Sequence, residues 1–251
     1  MGWHVQEPSV PGAWQLTVGQ PAQGYRFSLE AFLLADFVAA PSSAPLLDIG
    51  TGCGIVALLL ARRFPHVTII GLELQEALVA AARQNVVQNG LASRLTLLHA
   101  DALHLHHLFP AAIFDAVVCN PPYRVVGSGR LNPDASAAMA RHELTLTLEQ
   151  LLQACQHVLR PRGVLTLVYH PSRLAELCAR LEEAQLRPRR LRLVHSTLQA
   201  PASIMLLDAV RGGRDALTVL PPLCIYDAPG SYTPEMQAIF HGRDLHMGHA
   251  E

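Results

Sequence analysis

The sequence contains no lysine, few aromatic residues and little charge of either sign. All 19 of its basic residues are arginines, 20 residues are acidic, and the formal net charge is −1. Charged residues make up 16% of the chain and aromatic residues 6%. This balance excludes a uniformly basic surface, so a nucleic-acid-binding function requires positive charge that is concentrated locally. Half of the residues are hydrophobic, which is enough for a sizeable core and argues against long disordered segments.

Sequence signals for membrane insertion, export, disulfide bonding and metal binding are also lacking. The apolar runs are much shorter than the roughly 20 residues of a membrane span, and the first residues show neither a basic start nor an apolar signal core. The chain has five cysteines, Cys53, Cys119, Cys155, Cys178 and Cys224. An odd number without a Cys-x-x-Cys pair is more typical of reduced thiols than of a disulfide framework. The histidine-rich segment 104–107 has no carboxylate or cysteine at ligand spacing, so we predict no metal site. From the missing membrane and export signals we predict a soluble, cytoplasmic protein.

Short apolar runs alternate with helix-like segments through the middle of the chain. Predicted strands cover residues 45–49, 67–72, 95–99, 114–119 and 164–169, and predicted helices cover residues 55–64, 75–88, 144–159 and 171–184. This alternation indicates parallel strands joined by right-handed crossovers. Residues 191–195 and 204–210 are strand-like with no helix between them, which predicts an antiparallel pair. The predicted fold is therefore α/β and Rossmann-like, with a mostly parallel seven-stranded sheet, an antiparallel C-terminal hairpin strand and helices on both faces.

The chain is predicted to form a single domain, 1–251. Its parts are an N-terminal hairpin and helix extension (1–42), a core that carries the candidate site (43–210) and a C-terminal extension (211–251). The extensions contain a predicted strand at Trp14–Val18, a helix at Ser28–Ala40, a short strand at Pro221–Asp227 and a helix capped by Thr233. The connection from Arg124 to about Arg141 is rich in Gly, Ser, Asn, Asp and Ala, and loops of this length in compact domains are usually functional.

The first predicted core strand ends in the segment Asp48-Ile49-Gly50-Thr51-Gly52-Cys53-Gly54, called the glycine loop below. Glycines at alternate positions allow the backbone to approach a ligand closely. Ile55 stands where a dinucleotide-binding fingerprint needs its third glycine, so a pyrophosphate cradle is not predicted. The pattern resembles the first motif of class I methyltransferases, and by that resemblance Asp48, Gly50, Thr51, Gly52 and Gly54 border the methionine part of S-adenosylmethionine.

Two acidic residues follow the next two predicted strands. Glu73, beside Leu74, can accept hydrogen bonds from both ribose hydroxyls of a nucleoside. Asp101 can accept from the exocyclic amine of an adenine, with the Ala102 backbone beside it. Either carboxylate alone is as well explained as a helix cap. Their position with the glycine loop at successive strand ends on one sheet edge favours a cofactor site.

The fourth predicted strand is followed directly by Asn120-Pro121-Pro122-Tyr123. A planar amino group is a poor nucleophile, so acceptors must hold its nitrogen in line with a methyl donor. The side-chain oxygen of Asn120 and the Pro121 carbonyl, left free because Pro122 has no N–H, can accept the two amino hydrogens. Asn120 is biased towards an extended conformation because a proline follows it. Tyr123 offers a ring for stacking, and either a nucleobase amine or a glutamine amide fits these acceptors.

A more specific likeness is carried by residues 24–35 (GYRFSLEAFLLA), the glycine loop, Asn120 to Tyr123, and residues 221–227 and 230–235. Together these segments resemble the bacterial tRNA1(Val) adenine N6-methyltransferase family. The resemblance implies S-adenosylmethionine-dependent methylation of N6 of the adenine just 3′ of the anticodon, position 37 of a valine tRNA. It also implies that Arg26 and Phe27 lie close to the cofactor and the target pocket. Glu30 stands where the family commonly has Asp.

A tRNA substrate requires cations for its phosphates. The candidate RNA-binding residues are Arg124, Arg130 and Arg141 around the long connection, and Arg187, Arg189, Arg190 and Arg192 around Pro188. Two alternatives remain open at this stage. A protein glutamine methyltransferase would use the same tetrapeptide, although only about 44 residues precede the first core strand, too few for a substrate-binding domain. The other alternative is an RNA-binding module without catalytic activity, and the intact site residues argue against it. No obligate protein partner is predicted.

Overall fold

The structure, a computed structural model, describes residues 14–20, 28–41, 45–121 and 146–242. Its strands are β1 (Leu46–Ile49), β2 (Ile69–Glu73), β3 (Leu95–His99), β4 (Phe114–Cys119), β5 (Leu159–Tyr169), β6 (Leu186–His195), β7 (Ala202–Arg211), β8 (Thr218–Val219), β9 (Leu223–Cys224), β10 (Tyr226–Ala228) and β11 (Ser231–Tyr232). Within the described ranges, β1 to β9 form one sheet in the order β3-β2-β1-β4-β5-β7-β6-β8, and β9 also pairs with β6. The strands β10 and β11 form a separate hairpin.

Helices cover both faces of this sheet. They are α1 (Leu29–Phe37), α2 (Ile55–Arg63), α3 (Glu76–Gln88), α4 (Leu105–Leu108), α5 (Leu148–Val158), α6 (Leu174–Glu183) and α7 (Pro234–Phe240), with 3-10 turns at Ala102–His104 and Pro171–Arg173. Successive strand residues point to opposite faces. Leu46 and Val118 pack in a core with α1, α2, α3 and α7, whereas Leu47 and Val117 pack in a second core with α4, α5 and α6. No helix among the described residues is long and apolar enough to cross a bilayer.

The parallel strands predicted from the alternation are confirmed, and they lie in the order β3-β2-β1-β4-β5. Ile49, the last residue of β1, is aligned with Leu72 of β2 and with Cys119 of β4. The next residues along these strands, Gly50, Glu73 and Asn120, therefore lie side by side where the strands end. We call this line of strand ends the carboxyl edge. Ligands of open α/β sheets bind at such an edge, beside the point where the strand order reverses.

The antiparallel half is longer than predicted. Strand β7 pairs antiparallel with both β5 and β6, which confirms the predicted antiparallel element. Strand β5 begins at Leu159 because a bulge incorporates residues 160–163 between the pairs Phe114–Leu159 and Ala116–Val164. The short strands β8 and β9 pair in parallel with successive parts of β6 and bring the sheet to nine strands within the described residues, two more than predicted.

The predicted strand at Trp14–Val18 is wrong. Residues 15–20 have no strand assignment, although burial alternates along Trp14–Val18 as it would in a strand. The backbone instead pairs with side chains of α3 and its C-cap. Asn89 bonds the backbone N–H and C=O of Thr17, and Asn85 bonds those of Gly19. The indole N–H of Trp14 donates to the Phe240 carbonyl at 2.8 Å. We call residues 14–20 the N-terminal segment.

The observed helix ends differ from the predicted ones by up to a few residues. Helix α1 ends at Phe37, three residues before the predicted end at Ala40. Helix α7 begins as predicted, since Thr233 Oγ accepts from the backbone N–H of Met236 and Pro234 occupies the first turn. Thr147 forms a capping box with Gln150 at the start of α5. The continuous helix predicted from residue 144 is therefore wrong, because residues 146 and 147 are not helical and the helix begins at Leu148; residues 144 and 145 lie outside the described residues.

Candidate active site

The glycine loop turns sharply between β1 and α2. Gly50, Gly52 and Gly54 have φ angles of 71°, 59° and 88°, a left-handed conformation that side chains disfavour. The Gly50 and Thr51 N–H groups both donate to the Leu72 carbonyl, at 2.8 and 3.0 Å. A Cβ atom added at Gly50 would meet no atom of the described residues within 4 Å. Within the described part of the chain, the backbone at Gly50 is therefore uncovered at the carboxyl edge, where a ligand can approach it closely.

Asp48 supports the loop from inside the protein. Its carboxyl group is 1% exposed and accepts a hydrogen bond from Thr51 Oγ at 2.6 Å. Burial raises the pKa of Asp48 to about 7; the charge of Glu73 also raises this pKa, whereas the Thr51 hydrogen bond lowers it. The arrangement gives Asp48 a role in holding the loop through Thr51.

Glu73 joins the glycine loop to the end of β2. The carboxylate is 3% exposed, and its two oxygens accept from the backbone N–H groups of Gly52 at 3.0 Å and Gln75 at 2.8 Å. Gln75 is the N-cap residue of α3, so the alternative interpretation of Glu73 as a helix cap describes part of its role. Each oxygen has a second lone pair, however, so this buried carboxylate can accept two further hydrogen bonds. This capacity fits a ligand with paired hydroxyl groups.

Asp101 follows β3 on the same edge. Its Oδ1 accepts from the Leu103 N–H at 2.9 Å and caps the 3-10 turn, again in agreement with the capping alternative. The Ala100 N–H donates to the Glu73 carbonyl at 3.0 Å, which holds the ends of β2 and β3 together. Ala102 is buried, and the side chain of Leu74 is 36% exposed. The carboxylates of Glu73 and Asp101 thus follow neighbouring strands on one side of the glycine loop.

Asn120 follows β4 on the other side of the glycine loop. The alignment of Cys119 with Ile49 places Asn120 next to Gly50 along the carboxyl edge. Asn120 and Pro121 are both half-buried. Pro122 and Tyr123 lie outside the described residues, so their roles stay predictions. The structure places the described cofactor candidates of the glycine loop and Glu73 on the same sheet edge as Asn120, and the roles assigned to these residues stay predictions.

Other predicted site residues also lie outside the described residues. They are Arg26 and Phe27, assigned to the cofactor, and Arg124, Arg130 and Arg141, assigned to RNA. Glu30, which differs from the family pattern, is in the first turn of α1 and accepts from Ser28 Oγ at 2.5 Å. The longer carboxylate therefore bonds locally at the start of this helix.

The arginines of β6 are held by partners within the chain. Asp208, completely buried in β7, accepts from Arg189 at 3.2 Å, from Arg190 Nε at 2.7 Å and from Thr166 Oγ at 2.8 Å. Arg190 also donates to the Phe37 carbonyl at 2.8 Å, and its guanidinium lies 4.6 Å from the centre of the Phe37 ring. These contacts join β5, β6, β7 and α1, which is a structural role that the sequence did not predict.

Arg192 and Arg187 differ in exposure. Arg192 forms two hydrogen bonds to the Glu235 carboxylate, at 2.9 and 2.8 Å, and its side chain is 14% exposed. Arg187 pairs with Glu182 at 2.7 Å with both side chains about half exposed. An exposed ion pair contributes little and exchanges readily with other partners. Of the four arginines of β6, Arg187 is the one most accessible to phosphates, and the assignment of this group to RNA stays a prediction.

The histidine-rich segment lies beyond Asp101, on the surface. The rings of His106 and His107 are 3.9 Å apart, and the His104 ring is 6.5 and 6.1 Å from them. All three residues are exposed. In the part of the chain that the structure describes, no group of three or more His, Cys, Asp or Glu residues is arranged to hold a metal ion.

One residue next to the glycine loop was missed in the sequence. Asn85 is 1% exposed in α3, and its side chain bonds the Cys53 carbonyl inside the loop as well as the backbone of Gly19. The signal was present, because Asn85 interrupts the apolar face that Ala82 and Val86 define on this helix. A polar residue on a buried helical face must find hydrogen-bond partners, but the sequence does not show which residues those partners are.

Comparisons with known proteins agree with this geometry. A family model described as a methyltransferase domain matches residues 46–163. The chain is 31% identical over 236 residues to the tRNA1(Val) (adenine(37)-N6)-methyltransferase of Photobacterium profundum, covering 93% of this chain and 96% of that protein. It is 33% identical over 231 residues to the protein of the same name from Porphyromonas gingivalis, covering 88% and 89%.

Solved structures show the same fold. A predicted O-methyltransferase from Agrobacterium tumefaciens superposes with a TM-score of 0.69 at 23% identity, covering 85% of this chain and 96% of that one. An S-adenosylmethionine-dependent methyltransferase from Aquifex aeolicus gives a TM-score of 0.53 at 17% identity, covering 74% and 90%. The Rossmann-like methyltransferase fold predicted from the sequence is thereby confirmed. With relatives above 30% identity along almost their whole length, and with the glycine loop, Glu73 and Asn120 on one sheet edge, the chain belongs to the tRNA1(Val) (adenine(37)-N6)-methyltransferase family.

Proposed function

We propose that this protein transfers the methyl group of S-adenosylmethionine to the N6 amino group of adenine 37 in tRNA1(Val), the reaction named for its relatives. The observation that supports this most strongly is the register of β1 with β4. It places Asn120 beside the open glycine loop, with Glu73 on the opposite side of that loop. A methyl donor and an amino acceptor bound at these two places would be neighbours.

The cofactor site that we propose uses groups that fit S-adenosylmethionine. The free lone pairs of Glu73 would accept the two ribose hydroxyls, and Asp101 with the Ala102 backbone would contact the adenine. The open face of Gly50 leaves room for the methionine part, while Asp48 and Thr51 hold the loop in shape. When bound, S-adenosylmethionine supplies an electrophilic methyl group on a positively charged sulfur.

The amino group of the target would be held by oxygen acceptors. The Asn120 side-chain oxygen and the Pro121 carbonyl would each accept one amino hydrogen, which orients the nitrogen lone pair towards the methyl donor. Tyr123 would stack on the base, an interaction of about 1–3 kcal/mol for a nucleobase. No general base is required, because the nitrogen can release its proton to water after the methyl group has been transferred.

The RNA contacts proposed for this enzyme involve arginines near the target base and on β6. Arg124, Arg130 and Arg141 follow the tetrapeptide in sequence, and Arg187 is the exposed member of the β6 group. An adenine in an anticodon loop can be unstacked at a cost of a few kcal/mol, less than in a duplex. We place the reaction in the cytoplasm, where the tRNA is.

A single assay distinguishes this proposal from its alternatives. The protein is incubated with labelled S-adenosylmethionine and either tRNA that lacks the modification or release factor, and the product is digested and identified. Labelled N6-methyladenosine at position 37 is the expected result. Methylglutamine in release factor would identify a protein methyltransferase instead, and RNA binding without any transfer would identify a non-catalytic module.

A further inference from the structure

Asn85 uses its whole side chain to join two separate parts of the molecule. Its NH2 group donates to the Gly19 carbonyl and to the Cys53 carbonyl, each at 2.9 Å, and its oxygen accepts from the Gly19 N–H at 2.7 Å. Cys53 belongs to the glycine loop, and Gly19 to the N-terminal segment. Because the group is buried, each of these bonds is costly to lose.

Asn89 makes the same kind of contact one helical turn away. It pairs with both backbone groups of Thr17, at 2.9 and 2.7 Å. Four residues along a helix rise about 6 Å, and two residues along an extended chain advance about 6.6 Å, so the two amides match alternate residues of the N-terminal segment. Its remaining side-chain bond goes to the Asn85 carbonyl within α3, so Asn89 holds the segment without contacting the glycine loop.

The face of α3 that carries Asn85 also lies close to the loop backbone. A Cβ atom at Gly54 would be 3.3 Å from the Ala82 Cβ, and a Cβ atom at Gly19 would be 3.3 Å from Asn85 Oδ1. The loop packs against Ala82 and the N-terminal segment against Asn85, two residues one turn apart on the same face of α3. A displacement of the loop would reach the segment through Asn85.

We propose that Asn85 is a positioning residue that couples cofactor binding at the glycine loop to docking of the N-terminal segment. The inference rests on the proposed function, since it requires the glycine loop to bind the cofactor. Fixing the Cys53 carbonyl holds the loop in its binding conformation, and the same NH2 group fixes Gly19. Because coupling between two sites is reciprocal, an occupied loop also holds the segment more firmly.

The test compares Asn85→Ala with Asn89→Ala by calorimetry and by hydrogen exchange, with S-adenosylhomocysteine as the ligand. We expect Asn85→Ala to bind it about tenfold more weakly, corresponding to about 1.4 kcal/mol, and Asn89→Ala to bind it within about twofold of the parent. The ligand should slow exchange of the Gly19 amide in the parent and in Asn89→Ala, but not in Asn85→Ala. In turnover, Asn85→Ala should raise the KM for S-adenosylmethionine about tenfold and leave kcat within about threefold.

If Asn85→Ala does not fold, Gly19→Ala serves instead, because its added Cβ presses on Asn85 Oδ1 from the side of the segment. We then expect about two- to threefold weaker ligand binding. Equal ligand affinity in the parent and in the variant tested, or an equal effect of Asn85→Ala and Asn89→Ala, would overturn the coupling while the proposed function stands. A parent protein that does not bind S-adenosylhomocysteine at all would refute the proposed function, and this inference with it.

Discussion

The polar residues of the two halves of the sheet differ in how completely other residues of the chain satisfy their hydrogen bonds. At the carboxyl edge of the parallel half, counting only contacts with the residues that the structure describes, Glu73 has lone pairs that accept no hydrogen bond and Gly50 is uncovered. In the antiparallel half, the buried Asp208 is bonded to Arg189, Arg190 and Thr166 together. The first half leaves capacity for a ligand, whereas the second satisfies its charges internally.

The difference follows from the position of each residue along its strand. Residues just beyond a strand end are not covered by the next strand, so their polar atoms can turn towards a ligand. Residues inside a sheet are enclosed by neighbouring strands, and a charge there must be paired within the fold. Substitutions in the two halves should therefore have different consequences, catalytic or binding in one and thermodynamic in the other.

The largest effect is expected at Asn120. Asn120→Ala removes an acceptor that holds the amino group, and we expect kcat to fall by about 10³-fold or more in methyl transfer to tRNA. Affinity for S-adenosylhomocysteine, measured by calorimetry, should stay within about threefold because Glu73 and the glycine loop are intact. Asn120→Asp retains oxygen acceptors and should keep more activity than Asn120→Ala; near-normal turnover in the alanine variant would refute the assigned role.

The next effect belongs to the antiparallel half. Asp208→Ala leaves two guanidinium groups without their shared carboxylate, and we expect a loss of about 3 kcal/mol in the free energy of unfolding, measured with urea. We choose the lower end of the range for buried pairs because both arginine side chains are about one-third exposed. Asp215→Ala, which breaks an exposed pair with Arg162, is the control and should cost less than about 1 kcal/mol. Equal losses would remove the contrast between enclosed and exposed pairs.

A third prediction concerns Glu73. Glu73→Gln replaces one acceptor by an NH2 group, which faces a backbone N–H and no longer accepts a ribose hydroxyl. We expect the Kd for S-adenosylhomocysteine to rise by about 10- to 100-fold. Glu76→Gln, on the exposed side of α3, should leave the Kd unchanged. An unchanged Kd in Glu73→Gln would show that this residue caps the helix and does not bind the ligand.

The last prediction is a pH dependence of stability at Asp48. Because the pKa of Asp48 is raised from 3.8 to about 7, the folded state binds the proton more tightly than the unfolded state. Its stabilising contribution is complete below about pH 4 and is lost as the pH rises through about 7. The free energy of unfolding of the parent should therefore fall relative to that of Asp48→Asn between pH 4 and pH 8. A difference that does not change with pH would show that the carboxyl group titrates normally.

Local patterns in the sequence predicted the parallel half and the position of the candidate site residues at its strand ends. The strands 95–99 and 114–119 have the predicted bounds, and the glycine loop lies at the end of β1 as expected. Apolar runs and turn glycines are signals within a few residues of the elements that they form. The carboxyl edge was predictable because each of its residues directly follows such a strand.

Contacts distant in sequence were not predictable in this way. Alternating apolar residues at Trp14–Val18 correctly indicated alternating burial, but not that the backbone partners are side chains of Asn85 and Asn89. The arginines of β6 showed charge without showing its partner, since Asp208 is 18 residues from Arg190 and the partner of Arg192 is 43 residues away. Such pairs are set by the three-dimensional arrangement of strands and helices.

A crystal structure with S-adenosylhomocysteine tests the central claim most directly. We predict that its ribose hydroxyls lie within hydrogen-bond distance of Glu73, that its amino-acid part passes over Gly50, and that its sulfur faces Asn120. The compound bound away from the carboxyl edge, or with its sulfur directed away from Asn120, would contradict the account.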